Sequence, residues 1–201
     1  DLLDRSTRDV SEAARRRAAI GRAIVRGAGL CLLDEPLGNV EAELRDRMLD
    51  DLKLLHREFP TTCIYATHVP IEAMTLADRT VLMREGRIEQ EGTPLELFER
   101  PQTRFVAGYF GWPKMNFLAG ALSREASGDT IRLGASGTGV KLPPNRLPKG
   151  VADGQSVILG IRPEHMMRAV RASPPDGVFR HEAEVELLRP IGSRTYATFK
   201  M

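Results

Sequence analysis

The chain has 201 residues, enough for one large domain or two small ones with a buried core. Its 29 basic and 27 acidic side chains leave a formal charge of +2, too even a balance for a nucleic-acid binder, which gathers a larger basic excess on one face. No apolar run approaches the roughly 20 residues of a membrane span and no signal-peptide pattern is present, so the expectation is a chain that meets a membrane only through a partner.

Taken in chain order, the sequence shows two textures. Residues 1–112 are dense in Leu, Ala, Arg and Glu with apolar residues at helical spacing. A helix is predicted from Ser11, a good N-cap, to Arg26, closed by Gly27. Within it Arg15-Arg16-Arg17 reads as a solvated helix face. Leu30-Cys31-Leu32-Leu33 is a fully apolar strand that ends in Asp34-Glu35. The next helix runs from Glu41 to Glu58, with Leu44, Met48, Leu52, Leu55 and Phe59 on one stripe. Cys63-Ile64-Tyr65-Ala66 is a second buried strand, ending at Thr67-His68. Cys31 and Cys63 are expected to be buried free thiols, because a metal site needs more ligands at closer spacing.

Ile71 to Ala77 is predicted helical, and Arg79–Met83 with Gly86–Gln90 forms a hairpin turned at Glu85-Gly86. Thr93-Pro94-Leu95-Glu96 is a capping box with Pro at the first helical position, so a helix starts there. Gly111-Trp112-Pro113 marks the junction. Residues 113–201 are richer in Gly, Pro and Ser, with short Val, Ile and Leu runs between turns, the pattern of a small β-domain. His165, His181 and Met166-Met167 read as ordinary β-domain residues, the two methionines as core.

Apolar strands alternating with helices predict a parallel sheet covered by helices. In such sheets ligand-handling residues gather at the carboxyl ends of strands, which is where Asp34, Glu35 and His68 stand. An apolar strand ending in Asp-Glu suits phosphoryl transfer. The first carboxylate can hold Mg2+, usually through water, and the second can orient or deprotonate an attacking water. A His at the adjacent strand tip can donate a hydrogen bond to charge developing on a transferred phosphate.

Leu32-Leu33-Asp34-Glu35-Pro36-Leu37-Gly38-Asn39-Val40-Glu41 resembles the Walker B motif and D-loop of ATP-binding cassette (ABC) ATPases. Ala66-Thr67-His68, followed by Ile71-Glu72-Ala73-Met74-Thr75-Leu76-Ala77-Asp78-Arg79, resembles their switch-histidine segment. Gly86-Arg87-Ile88-Glu89-Gln90 with Gly92-Thr93-Pro94 is similar to the end of that domain in the carbohydrate-importer branch. Gly160-Ile161-Arg162-Pro163-Glu164-His165 and Val185 to Gly192 resemble segments of the branch's C-terminal regulatory domain.

The resemblance implies an α/β fold: the C-terminal part of a P-loop NTPase domain over 1–112, then an incomplete OB-like β-barrel of the TOBE type over 113–201. It implies ATP and Mg2+ as ligands, with Asp34 holding the metal shell, Glu35 polarising the hydrolytic water and His68 contacting the γ-phosphate. Asn39 falls in the loop that crosses to the opposite subunit. The implied partners are a second ATP-binding subunit, transmembrane permease subunits and, indirectly, a periplasmic or extracellular solute-binding protein. The implied setting is the cytoplasmic face of the bacterial inner membrane, and the transported solute is a sugar, polyol or similar compound.

Two departures qualify that picture. No G-x-x-x-x-G-K-[ST] phosphate loop occurs, so the expectation is a partial sequence, inactive alone. Where the family has Leu-Ser-Gly-Gly-Gln, this chain has Val10-Ser11-Glu12-Ala13-Ala14. That signature caps the γ-phosphate of ATP held by the opposite subunit, through a Ser hydroxyl, backbone N–H groups and a helix N-terminus. Ser11 survives, but Glu12 brings an anion to an anion site. Two unit charges about 4 Å apart repel by about 1 kcal/mol in water and about 4 kcal/mol at an effective dielectric of 20, and the helix dipole does not offset the larger figure.

Gly38 and Glu41 also replace the D-loop's usual Ser and Asp, and Val69 replaces the acid that commonly follows the switch His. Intact Asp34, Glu35 and His68 beside a degenerate signature predict an asymmetric pair with a non-identical sibling, in which one composite site hydrolyses and the other does not. The alternatives are a decaying paralogue and a non-hydrolysing regulatory scaffold. Phe117, Phe179, Tyr196 and Phe199 are too few aromatics for an oligonucleotide platform on the β-domain.

Overall fold

A computed structural model describes residues 6, 8–38, 40–126, 128–134, 137–143, 146–147, 150–168 and 179–199. The chain divides into two compact units, Asp1–Met115 and Asn116–Met201.

In the first unit the order is α1 (Glu12–Val25), β1 (Leu30–Asp34), α2 (Ala42–Glu58), β2 (Thr62–Ala66), α3 (Pro70–Leu76), β3 (Thr80–Arg84), β4 (Arg87–Gly92), α4 (Pro94–Glu99) and α5 (Arg104–Tyr109). Ser11 caps α1, its hydroxyl accepting from the Ala14 N–H at 3.2 Å. β1 and β2 pair in parallel, in register from Leu30↔Thr62 to Asp34↔Ala66. Ile20 and Ile24 of α1 and Met48, Leu49 and Leu52 of α2 close over Cys31, with Leu37 and Val40 in the same cluster. Each such side chain contributes about 1.5–3 kcal/mol on burial.

The expectation that the two apolar strands are buried is corrected here. Leu30, Leu32 and Ile64 are exposed, Leu32 at 68%. Side chains alternate along a strand, and the cluster built from α1 and α2 takes in Cys31, Leu33, Cys63 and Tyr65, the residues of the alternate face. Cys31 is buried as expected, whereas Cys63 is only half-buried; both are free thiols. Phe59 falls outside the α2 stripe, because the helix ends at Glu58 and Phe59 turns out as its exposed C-cap.

β3 and β4 form the expected antiparallel hairpin. Glu85 and Gly86 at its turn both have positive φ, 50° and 77°, which matches the right-handed twist of the flanking strands. The Thr93 capping box at α4 is complete on both sides. Leu82, Leu97, Val106 and Phe110 form a second core cluster, to which the unpredicted α5 contributes Val106.

The second unit holds β5 (Asn116–Glu125), β6 (Gly128–Leu133), β7 (Thr138–Lys141), β8 (Ser156–Ile161), β9 (Val185–Ile191) and β10 (Arg194–Phe199). Four of these make an antiparallel sheet in the order β7-β6-β5-β8, and β9 and β10 make a separate hairpin. The sheet is open among the described residues rather than a closed barrel. Ile131, Leu133 and Val140 centre its core, with Leu118, Leu142, Val157 and Leu159 packed around them. Gly120 of β5 sits where a Cβ would meet the Arg132 carbonyl oxygen at 2.6 Å, so only glycine fits this approach. Met167 is 84% exposed and so is not core. It lies past the 3-10 turn Pro163–His165, outside any strand. No helix among the described residues is long and apolar enough to cross a membrane.

Candidate functional site at the tips of the parallel strands

Sheet pairing continues one residue past β1: the Glu35 N–H donates to the Ala66 carbonyl at 2.9 Å. The backbone then leaves the strand abruptly, with Glu35 at φ 41°, a left-handed conformation that carries about 1–3 kcal/mol of strain in a residue bearing a side chain. A tight turn follows, closed by the Gly38 N–H on the Glu35 carbonyl at 3.0 Å. Leu37 of that turn is fully buried and anchors it in the core.

Past the Asp34↔Ala66 register pair, Glu35 meets His68, which lies two residues beyond Ala66. His68 Nδ1 lies 2.7 Å from Glu35 Oε1. Both side chains remain open to solvent, at 71% and 51% exposure. Asp34 precedes Glu35 as the last residue of β1, and its carboxylate has no hydrogen bond or ion pair among the described residues. One or two carboxylates completed by water and phosphate oxygens is the donor set Mg2+ takes, so this free carboxylate fits that ion. Among the described residues no group of three His, Cys, Asp or Glu side chains forms an all-protein metal cage.

Of the other predicted site residues, Ser11 uses its hydroxyl on the Ala14 N–H, and Glu12 opens α1 as its acidic first residue. Asn39 lies outside the described residues. The Arg15–Arg17 face is not simply solvated. Arg16 Nη2 donates to Glu12 Oε1 at 2.9 Å while its Nη1 donates to the Gly38 carbonyl, and Arg17 pairs with Asp51 at 2.5 Å. Arg16 therefore ties the residue that departs from the family signature to the turn that follows Glu35, and it partly offsets the charge of Glu12.

Behind His68 is a polar cluster that the sequence reading missed. Glu72, in the first turn of α3, is 2% exposed. Its Oε2 accepts from Thr67 Oγ1 at 2.6 Å and from the Tyr65 hydroxyl at 3.0 Å, and its Oε1 lies 3.6 Å from Arg45 Nε. Burial, reinforced by the Glu72 charge, pushes the Tyr65 phenol well above its ordinary range. The available signal was that Tyr65 and Thr67, two apart, share one face of the strand.

Residues 111–166 match the family model described as the MalK OB fold domain. The chain is 47% identical over 204 residues to the sn-glycerol-3-phosphate import ATP-binding protein UgpC of Cupriavidus necator, covering 98% of this chain and 53% of that protein. It is 41% identical over 197 residues to the UgpC protein of Chromohalobacter salexigens, covering 98% and 50%. It is 44% identical over 194 residues to the ABC transporter ATP-binding protein y4oS of Sinorhizobium fredii, covering 96% and 49%. The chain thus spans about half the length of the curated relatives it matches. With these matches, the strand-tip geometry and the OB-type second unit taken together, the chain is similar to the ATP-binding subunits of ABC import systems.

Proposed function

We propose that the full-length protein hydrolyses ATP to drive import of a sugar, polyol or related solute, and that this chain supplies Asp34, Glu35 and His68 to the reaction. The observation that carries the reading is the 2.7 Å contact between Glu35 and His68 at the tips of two paired parallel strands. In this reading Glu35 orients the attacking water and accepts its proton. His68, when protonated, keeps Nδ1–H on Glu35 and has Nε2–H available for the transferred phosphate. Asp34 would hold Mg2+, which supplies neutralisation of charge on the phosphate oxygens when bound. The protein works at the cytoplasmic face of the membrane beneath permease subunits, with an external solute-binding protein upstream.

We further propose an asymmetric pair. The Glu35–His68 half of a site is intact in this chain, whereas the segment Val10–Ala14 carries Glu12, held by Arg16, where the family closes on the partner's nucleotide. One composite site then joins Glu35 and His68 to a sibling's normal signature; the other is degenerate. The test is ATP turnover by the full-length protein, alone and mixed with its sibling subunit, each with Glu35→Gln as control. Turnover only in the mixture, abolished by Glu35→Gln, is the expected result. Turnover by the protein alone sinks the asymmetric pair, and silence in both preparations favours the competing reading of a non-hydrolysing scaffold.

A further inference from the structure

We infer that Glu72 and Arg45 are positioning residues that set the imidazole of His68 from behind and register it against the loop that follows Glu35. The inference rests on the proposed ATPase reading for its catalytic consequence, and on geometry for the rest.

His68 is exposed, at the apex of a bend between β2 and α3, and beyond its contact with Glu35 its imidazole is placed by the backbone that carries it. Thr67 donates its hydroxyl to Glu72 and with the same oxygen accepts the Val69 N–H at 3.0 Å. The residues on both sides of His68 are thereby tied to one buried carboxylate. The Glu72 N–H donates to the Val69 carbonyl at 3.1 Å, closing the bend onto the first turn of α3. A bond between groups shielded from water is worth more than one at the surface, so this bend is held more firmly than its apex.

Glu72 also reaches toward the other half of the site. Arg45, in the first turns of α2, donates from Nη2 to the Val40 carbonyl at 3.0 Å, in the loop that Glu35 opens. Its Nε is buried with no hydrogen-bond partner, 3.6 Å from Glu72 Oε1. A buried donor left unpaired is costly, and a movement of about half an ångström would bring this one to hydrogen-bond distance. Arg45 and Glu72 thus bridge the Val40 loop and the His68 bend through a contact that is poised to tighten. Any shift of that loop is passed to Thr67 and from there to His68.

The test uses the full-length protein with its sibling subunit. Removing Glu72 alone would strand the Arg45 charge, so the informative variant is the pair Glu72→Gln with Arg45→Met. Thr67→Val is the milder companion, and Thr67→Ser keeps the hydroxyl. The His68 ring signal is followed by NMR and assigned with His68→Gln. The inference expects the double variant and Thr67→Val to shift that signal and lower kcat about tenfold or more with KM for ATP unchanged. Thr67→Ser should restore both. A His68 signal at its native position in the variants, or a moved signal with native kcat, overturns the inference. Should wild-type turnover survive Glu35→Gln, the ATPase reading fails instead, and the His68 signal still judges the positioning role.

Discussion

The hydroxyl of Tyr109 donates to the backbone carbonyl of His68 at 3.1 Å, across 41 positions of sequence. The last residue of α5 therefore steadies the bend that carries the imidazole. Burial raises the Tyr109 phenol above its ordinary range, so it stays a donor through neutral and mildly alkaline pH. Tyr109→Phe should lower stability by about 0.5–1.5 kcal/mol, the worth of one ordinary hydrogen bond. Denaturant unfolding of the full-length protein checks this, and an unchanged midpoint would show that water replaces the phenol at no cost.

Leu37 links the turn after Glu35 to the core. It is fully buried, in the same cluster as Met48 and Leu52. Leu37→Ala should cost about 2–5 kcal/mol through lost burial and the cavity left behind. Because the turn also sets Glu35, turnover should fall further than the unfolded fraction explains. Thermal melts and kcat measured on the same samples separate the two effects.

Cys31 and Cys63 are register partners on adjacent strands. Burial, with the neighbouring Cys31 adding to it, pushes the Cys63 thiol up to about 11. At neutral pH the thiolate, the form that reacts, is then scarcer than in an ordinary cysteine. Native protein should resist maleimide at Cys63 on the hour scale and label promptly in denaturant. Mass spectrometry of the labelled peptide reads the outcome, and rapid native labelling would contradict the assignment.

The α4 cap predicts an acid-sensitive contribution. Glu96 accepts the Thr93 N–H at 2.8 Å, which holds its carboxyl below the ordinary value of 4.5. A carboxyl with a lowered folded value stabilises fully above its unfolded value, and that stability disappears as pH falls through the folded one. Glu96→Gln should therefore lower stability at pH 7 and converge with wild type in acid. Thr93→Ala, which removes the other half of the box, should cost about 1 kcal/mol. Unfolding midpoints across pH 3–7 check both.

Much of the first unit is legible because its signals are local. Ser11 caps a helix, Glu85-Gly86 turns a hairpin and Thr93-Pro94-Leu95-Glu96 starts a helix, each by chemistry confined to a few residues. Asp34, Glu35 and His68 are likewise placed by strand ends. What escaped depends on contacts between elements distant in sequence. Arg16 reads as part of a basic face, yet its neighbour across space is the Gly38 carbonyl. Glu72 reads as an ordinary acid in a first helical turn, and its burial follows only from how α3 lies against Arg45 and Tyr65. The exposed Leu32 and Ile64 were unreadable for a similar reason: apolarity marks a strand, but which face receives helices is a property of the packed unit.

The left-handed backbone at Glu35 has a consequence of its own. Glycine adopts φ 41° without the penalty a side chain incurs, so folding by itself favours glycine there. Glu35→Gly would relax the turn and remove the carboxylate in one step, leaving a protein at least as hard to unfold and without the base that the proposed ATPase reading requires. Selection for thermal robustness and selection for turnover thus pull this single position in opposite directions, and a screen that rewards only soluble, heat-stable protein would discard the carboxylate first.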